Sequence, residues 1–291
     1  MSLIEIKKVE SKKDLKTFID FHYDLYEGNE YDVPNLFSDE MNTLSKDKNA
    51  AFEFCEAEYY LAYKDGKLAG RVAAIINHKA NNKWGKKSVR FGWIDFIDDR
   101  EVSKALLDAV EKYGKEKGME DMVGPLGFTD MDPEGMLTWG FDKLGTMPTI
   151  YNYPYYPEHI EKLGGFEKDN DYVEYYLPVP EKIPERYSKL AEMVMKRYNL
   201  KIRKLTKKDV YEGGYGRKLF GLINDTYTDL YGFAELTDRQ IDQYVKMYMP
   251  VANLDFITVI EDASVDNKLV GMGKMVGIQS VAQYRIVLRL A

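Results

Sequence analysis

The sequence predicts an α/β protein whose mixed, mostly antiparallel central sheet is flanked by helices and occurs in two copies, the second incomplete. One observation behind this prediction is the alternation of strand and helix patterns over residues 1–178. Another is a repeat, because residues 268–271 (KLVG) echo residues 67–70 (KLAG). The number of residues between Ile4 and the KLAG segment is nearly the same as that between Ile202 and the KLVG segment. Such self-similarity indicates an internal duplication.

The predicted order of elements in the first copy is β-α-α-β-β-β-α-β-α-β. Ser11, with Asp14 three positions further on, gives the first helix a capping-box start, and a Lys-Asp-Gly turn at residues 64–66 joins the second and third strands. The strands are predicted over residues 3–9, 58–63, 67–77, 89–97, 121–124 and 171–177. The helices are predicted over residues 11–26, 37–44, 100–117 and 157–163.

Three prolines, at positions 178, 180 and 184, indicate a domain boundary. The sequence therefore predicts a complete first copy over residues 1–178, a proline-rich linker and helix over 179–199, and a truncated second copy over 200–291. The second copy stops before the counterparts of the last elements of the first. We expect either a chain shortened relative to its relatives or an open sheet edge covered by something else, such as a second molecule in a homodimer. The elements predicted in this half are a helix over 185–198, strands over 200–205, 255–261 and 268–273, and a helix over 218–231.

The charge balance excludes some classes of partner. A formal net charge of -7 argues against DNA or an anionic membrane as the main partner, because both attract a basic surface. No apolar run approaches the roughly 20 residues that a membrane-spanning helix requires. The N-terminus carries no signal-peptide pattern and Cys55 is the only cysteine, so the sequence predicts a cytoplasmic protein without disulfides.

Residues 124–166 differ in composition from the rest of the chain and are the best place to look for a site. Glycine and proline recur every few residues, yet four tyrosines lie between positions 151 and 156. Flexible linkers are poor in aromatic residues, so this irregular segment is expected to be ordered. Thr129, Tyr151 and Asn152 are candidate substrate-binding residues that could line a cleft for a small molecule. The alternative is that the tyrosines pack the segment onto the sheet.

The acidic residues of this segment do not predict a metal site. Asp130, Asp132, Glu134 and Gly135 resemble the start of a calcium loop, but its twelfth position is Phe141 and not a bidentate glutamate. The first two carboxylates are more simply explained as turn formers that bond nearby backbone amides.

The other residues with reactive side chains lack a recognisable motif. His22, His78 and His159 have no metal-binding spacing, and the first and last are predicted to be surface or packing residues. Cys55 is predicted to pack as a small hydrophobic residue.

The order of elements, the hairpin before a central strand, and Leu-Gly-Gly-Phe at residues 163–166 before a closing strand resemble the GNAT superfamily of N-acetyltransferases. The resemblance covers residues 1–178 as a whole copy and 200–275 as the front of a second. Gly-Pro at 124–125 and Tyr-Asn-Tyr-Pro-Tyr-Tyr at 151–156 are similar to a group of bacterial proteins built as tandem GNAT-like units.

The resemblance implies acetyl-CoA or another acyl-CoA as cofactor, and the sequence departs from the superfamily pattern at the place that binds it. The superfamily holds the CoA pyrophosphate with an (R/Q)xxGx(G/A) loop that opens the helix after the fourth strand. The matching residues 98–103 read DDREVS, with three carboxylates and no glycine. No cofactor-binding residue is therefore assigned. In the superfamily a tyrosine often serves as general acid. The matching position in this sequence is occupied by Ile160, or by Glu161 in a shifted alignment.

Three functional hypotheses follow. The first is an acyltransferase of GNAT type that moves an acyl group onto an amine of a small molecule, with Asp130 or Asp132 as proton acceptor and Tyr155 or Tyr156 as proton donor. A Fem-like transferase with a donor other than CoA is a variant of it. The second is a degenerate GNAT-like fold that binds a metabolite or protein partner without catalysis. The third is an incomplete protein whose shortened second copy compromises function.

Overall fold

The computed structural model describes residues 3–146, 149–175, 178, 180–250 and 252–274. The chain divides into two units. The first runs to Asn170 and includes Tyr231–Ala234, and the second comprises Asp171–Leu230 and the described residues from Glu235 onward.

The first unit is built on a five-stranded sheet whose strands follow one another in chain order from β1 to β5. Neighbouring strands are antiparallel except β4 and β5, which are parallel. The strands are β1 (Ile4–Lys8), β2 (Cys55–Lys64), β3 (Lys67–Asn77), β4 (Ser88–Phe96) and β5 (Asp121–Val123). The helices are α1 (Lys12–Leu25), α2 (Phe37–Leu44), α3 (His78–Trp84), α4 (Arg100–Glu116) and α5 (Tyr155–Leu163), with a 3-10 turn at Ala50–Glu53.

The second unit contains a three-stranded antiparallel sheet in the order β6-β7-β8. Its strands are β6 (Leu200–Lys204), β7 (Ile257–Asp262) and β8 (Lys268–Lys274). Its helices are α6 (Glu185–Arg197), α7 (Lys207–Tyr211), α8 (Tyr215–Tyr227) and α9 (Asp238–Tyr248), with a 3-10 turn at Leu254–Phe256.

The two sheets share a local irregularity that confirms the predicted duplication. In the first hairpin Gly70 pairs with Ala62 and Leu68 with Tyr63, so that one extra residue lies in β3. In the second, Gly271 pairs with Ile260 and Leu269 with Glu261, which places the extra residue at the same point of β8. Both units also open the helix after their first strand with a capping box. The repeated KLxG sequence therefore encodes a repeated bulge.

The core of the first unit has two parts, one on each face of its sheet. The α4 core packs α4 and Tyr156 against residues such as Val72, Phe91 and Phe96. The α1 core packs α1 and α2 against residues of β2 and β3 together with Phe128. The helices on both faces are amphipathic, and the sheet between them is buried on both sides.

Most predicted elements are present, and several predictions need correction. The closing strand predicted over 171–177 is wrong for its described part, because residues 171–175 pair with no strand; residues 176 and 177 lie outside the described residues. Tyr172, Val173 and Tyr175 of this segment are exposed, so the alternating pattern did not reflect a buried face. α5 begins two residues earlier than predicted, and α8 covers Tyr215–Tyr227 where 218–231 was predicted. The helices α3, α7 and α9 were not predicted.

Within the described ranges, no helix has both the length and the apolar character needed to cross a membrane.

We predict that Gly92 in β4 tolerates no side chain. A β-carbon at this position would lie 2.4 Å from the carbonyl oxygen of Leu126, a backbone atom that cannot rotate away. Gly92→Ala should lower the free energy of unfolding of the first unit by about 1–3 kcal/mol. All three tryptophans, Trp84, Trp93 and Trp139, lie in this unit, so urea denaturation followed by tryptophan fluorescence reports on it. Lys112→Ala in α4 of the same unit is the control, because its side chain is 78% exposed; an equal loss in both variants would contradict the prediction.

Candidate functional site

The candidate site lies where β4 and β5 separate. The two strands pair only over Ser88–Arg90 and Asp121–Val123, after which the amide of Leu126 makes one more bond of 2.9 Å to the carbonyl of Phe91. β4 also carries an extra residue between Gly92 and Asp95 relative to β3, and Trp93 has a positive φ of 44°. Bulges of this kind redirect side chains and often lie beside functional sites.

Two tyrosines of α5 satisfy the backbone of β4 beyond this point. The hydroxyl of Tyr155 donates to the carbonyl of Phe96 at 2.7 Å, and the amide of Phe96 donates to the hydroxyl of Tyr156 at 3.2 Å. Phe96 pairs with Gly70 of β3, and on its other side both of its backbone polar groups have partners without a strand, as buried backbone requires. The start of α5 is therefore fixed to the end of β4 by its own side chains.

A buried ionic network surrounds Asp95, the residue before Phe96. Arg71 donates from Nε and Nη2 to the carboxylate at 2.8 and 2.7 Å, and His22 Nδ1 lies 3.0 Å from it. The hydroxyl of Tyr156 donates to the other carboxylate oxygen at 3.0 Å. Burial alone would raise the pKa of Asp95, but the charges of Arg71 and His22 lower it to about 2.

His22 joins this network to the loop after α1. Its Nε2 lies 3.3 Å from Asp32, while its Nδ1 faces Asp95. Burial would lower the pKa of His22, but the charge of Asp95 and hydrogen bonds to both carboxylates raise it to about 9. His22 packs against Tyr26, with 4.6 Å between the ring centroids, and it is also a charged member of a buried network, which the sequence did not predict. Its partners lie far away in sequence, and no local pattern reveals them.

Asp132 occupies a different environment, beside the α1 core. Its carboxylate accepts a bond of 2.9 Å from the amide of Thr129, which closes the turn predicted for these residues. Burial raises the pKa of Asp132 to about 7, and the neighbouring charge of Glu40 acts in the same direction. Arg90 lowers this pKa only in part. Asp132 is thus a carboxyl group that exchanges protons near neutral pH.

Glu40 is the second carboxylate on this side of the sheet, and the sequence pattern did not reveal it. It is buried and accepts bonds from Nε1 of Trp93 at 2.7 Å and from the side chain of Asn35 at 3.0 Å. The bulge in β4 turns Trp93 toward Glu40 and also toward Phe128, whose ring centroid is 5.6 Å away. Trp93 thereby links the bulge in β4 to the two carboxylates on this side of the sheet, Glu40 and Asp132.

An open cleft of about 630 Å³ lies on the other side, between the start of α4 and α5. Its lining includes the ring of Tyr155 and the buried imidazole of His159. His159 Nδ1 lies 3.0 Å from the hydroxyl of Ser103, and its Nε2 lies 3.0 Å from the carboxylate of Asp98. The predicted packing role of His159 is thus accompanied by two polar contacts. Burial raises the pKa of the Tyr155 hydroxyl, which therefore keeps its proton.

The remaining predicted site residues mainly organise the loop. Asn152 is buried, and its side chain bonds both the amide and the carbonyl of Leu137, at 2.6 and 3.1 Å. Tyr151 donates to the carbonyl of Phe141 at 3.2 Å. Thr129 is buried in the turn that Asp132 closes, and Asp130 lies beside it on the same turn. The structure thus groups Thr129 with Asp132, and Tyr155 with Tyr156, on different faces of the sheet.

Cys55 has the environment of a packing residue. Cys55 is buried in the α1 core, and burial raises its thiol pKa to about 12, which fits a packing residue. Across the part of the chain that the structure describes, no group of three or more His, Cys, Asp or Glu side chains is arranged to hold a metal ion.

We predict that the His22 charge stabilises the fold in a pH-dependent way. Because folding raises its pKa from the usual 6.5 to about 9, the stabilisation is complete below pH 6.5 and is lost as pH rises through about 9. His22→Gln keeps a hydrogen-bonding side chain without the charge. Urea denaturation between pH 5 and 10 should show a wild-type advantage of a few kcal/mol that shrinks toward pH 10. A difference that stays constant over this range would show that the charge does not contribute.

Comparison with known proteins gives relatives for parts of the chain. No family model matches it. It is 34% identical over 154 residues to Protein YghO of Escherichia coli K12, covering 53% of this chain and 39% of YghO. It is 24% identical over 255 residues to a bacterial ceramide synthase of Caulobacter vibrioides, covering 84% of this chain and 62% of that protein. The chain therefore spans less than two thirds of the length of either curated relative.

A solved structure resembles the whole chain. The tandem GNAT protein from the clavulanic acid biosynthesis pathway, solved without acetyl-CoA, overlaps 98% of this chain and 79% of its own, with a TM-score of 0.50 and 10% identity. At this identity the likeness concerns the fold. Together with the duplicated hairpin and the separation of β4 from β5, it shows that the chain has the fold of the GNAT superfamily.

Proposed function

We propose that the protein is an N-acyltransferase that forms an amide between an acyl group and an amine, with its reaction centre in the first unit. The observation that carries this proposal is Asp132, a partly buried carboxyl group with a pKa near 7 beside the bulge-containing strand β4. An amine must lose a proton when it attacks an acyl carbonyl, and an acceptor works best when its pKa lies near the operating pH.

The residues that we propose for the reaction lie on two sides of the gap that opens where β4 and β5 separate. Asp132 accepts the proton from the amine, and Glu40 adds a second negative charge that attracts a protonated amine. Tyr155 lines the cleft on the opposite face and supplies a proton to the leaving group. Tyr156 is the positioning residue, because its buried hydroxyl holds Asp95 and the end of β4. Asp130 and Thr129 shape the turn that carries Asp132.

The donor we propose is an acyl-CoA, whose thioester would supply the activated acyl group. At the start of α4, three backbone amides already have partners within the protein: Glu101 N donates to the Asp99 side chain at 2.9 Å, and the amides of Val102 and Ser103 donate to the Asp99 carbonyl at 3.1 Å. These amides do not fit a pyrophosphate. The neighbouring cleft offers the cationic side chains of Arg100 and Lys162, but the carboxylates of Asp98 and Glu158 line it as well, so it is not a dedicated anion site.

The acceptor class that we propose is suggested by one relative, the bacterial ceramide synthase. A ceramide is an amide of a long-chain amino alcohol, so a ceramide synthase makes the type of bond proposed here. Long-chain amino alcohols are therefore the first acceptors to test, beside short amines of the same head group.

A second candidate function is the same fold acting without catalysis, as a binding module for a metabolite or a protein. It is favoured by the start of α4, where Asp99 accepts from a backbone amide and forms an ion pair with Lys64. Incubation with acyl-CoA and amine acceptors, followed by mass spectrometry of the products, separates the two candidates. Amide formation supports the transferase, and CoA binding without product supports the binding module.

We predict that Asp132→Asn lowers kcat/KM for acyl transfer by roughly 10²- to 10⁴-fold, the usual contribution of a general base. Asparagine can still accept the bond from Thr129, so the turn should survive. The wild-type rate should rise with pH through about 7, as Asp132 loses its proton, and this rise should be absent in the variant. Asp130→Asn, on the same turn, is the matched control and should keep the wild-type pH profile. A variant Asp132→Asn with an unchanged profile would assign the base elsewhere.

A further inference from the structure

One face of the second sheet corresponds to the face that α4 covers in the first unit. The shared bulge and the pairing of the strands align Ile202 of β6 with Ile6 of β1, and Val270 of β8 with Ala69 of β3. Ala69 is part of the α4 core, and Ile6 packs against it. The side of the second sheet that carries Ile202 and Val270, which we call the open face, is therefore a surface on which a helix would be expected.

No helix that the structure describes covers the open face. Ile202 is 62% exposed and Val270 is 41% exposed, although both side chains are large and apolar. The glycines of the two bulges show the same contrast. A β-carbon added at Gly70 would lie 2.7 Å from the side chain of Leu106 in α4, whereas the atoms nearest to one at Gly271 belong to β7, at 3.6 Å. The second sheet thus leaves in water a face that the first sheet buries.

Helix α6 of the same unit carries an apolar stripe that is also uncovered. None of its residues is buried, and apolar side chains recur along one side of it at intervals of three and four residues. We call these residues the α6 stripe; they are 37–58% exposed and comprise Tyr187, Leu190, Met193, Val194 and, directly after the helix, Tyr198. An amphipathic helix gains most of its stability by packing such a stripe against another element. The α6 stripe is therefore expected to have a partner.

The α6 stripe and the open face are complementary surfaces on one chain. A helical stripe on an apolar sheet face is the arrangement that α4 forms with the first sheet. The two surfaces do not cover each other within one chain, because the side chains of both are exposed. Two copies related by a two-fold axis would cover both surfaces at once, since each copy gives its stripe and receives the other's.

The area involved favours a second copy over another partner. A large side chain that is half exposed buries on the order of 100 Å² when it is covered, so the side chains of the two surfaces would together bury roughly 700 Å² per copy. A stable interface of standard size buries about 800 Å² per partner. A foreign helix would cover only the open face and would fall well short of that area.

We propose that the protein forms a symmetric dimer in which the α6 stripe of each copy packs on the open face of the other. The second sheet thereby gains from the partner copy the helical layer that α4 provides for the first sheet. This dimer is independent of the proposed reaction, because it involves only the second unit.

The first test is the mass of the full chain in solution, measured by light scattering over a series of concentrations. The wild type should be a dimer at micromolar concentration. Leu190→Gln in the α6 stripe and Ile202→Gln on the open face should each raise the dimer dissociation constant by about tenfold or more, because each loss occurs twice in a symmetric dimer. Glu192→Gln is the matched control, because it makes the same kind of change on the polar side of α6 and should leave the dimer unchanged.

A second test identifies the surfaces that meet. Leu190→Cys and Ile202→Cys are prepared as separate variants, and Cys55, the only native cysteine, is buried and does not interfere. A short bismaleimide should link a mixture of the two variants into dimers to a greater extent than it links either variant alone.

The inference is overturned by a wild type that stays monomeric at high micromolar concentration, or by a dimer that Leu190→Gln and Ile202→Gln do not weaken. Equal weakening by Glu192→Gln, or equal linking in the mixture and in the separate variants, would also overturn it. A chain with both Leu190→Cys and Ile202→Cys that links internally, as a monomer, would show that α6 packs on its own sheet and not on that of a second copy.

Discussion

The first unit depends on the neutralisation of one buried carboxylate, Asp95. Its charge is matched by Arg71 from the neighbouring strand and by His22 from α1, and Tyr156 from α5 donates a further bond. These contacts join elements that are far apart in the chain, and Arg71 also donates to the carbonyl of Phe18 in α1. Removal of one partner would leave a buried charge without compensation, which is costlier than the absence of the whole network. The positions of α1, α5 and the end of β4 are therefore coupled.

This coupling explains how the sheet can open between β4 and its outermost strand, β5. Beyond Arg90, β4 has lost β5 as a ladder partner, and its last residue obtains its hydrogen bonds from the two tyrosine hydroxyls of α5. The gap is consequently a stable feature with polar groups on both faces, Asp132 and Glu40 on one and the Tyr155 cleft on the other. A fold that holds two partly buried polar faces apart in this way provides separate approaches for a donor and an acceptor. The proposed reaction uses that separation.

The sequence predicts features that depend on neighbours in the chain and misses those that depend on distant ones. The capping box at Ser11, the Lys-Asp-Gly turn and the repeat of the KLxG segment are local, and all three are present; the bulge that the repeated segment forms was not predicted. Asp130 and Asp132 were equivalent in the sequence, whereas burial and the proximity of Glu40 distinguish Asp132 in the structure. The role of His22 depends on Asp95, which lies 73 positions further along the chain. The prediction of a closing strand was wrong over residues 171–175 for the same reason. A strand requires a partner strand, and its own residues do not specify that partner.

The two copies of the duplicated fold differ in their buried charges. The shared bulge aligns Gly70 with Gly271, so the residue that corresponds to Arg71 is Met272. Methionine cannot neutralise a buried carboxylate, and Met272 is 37% exposed where Arg71 is buried. The second unit instead places its buried acid, Glu261, on β7 beside Arg203 and Tyr215. These contacts join β6 and β7 to α8 within the second unit. They do not resemble the contacts by which the tyrosines of α5 hold the end of β4 in the first unit. The two copies therefore share a backbone plan but not a charge network, and the polar faces from which we argue an acyltransferase belong to the first copy.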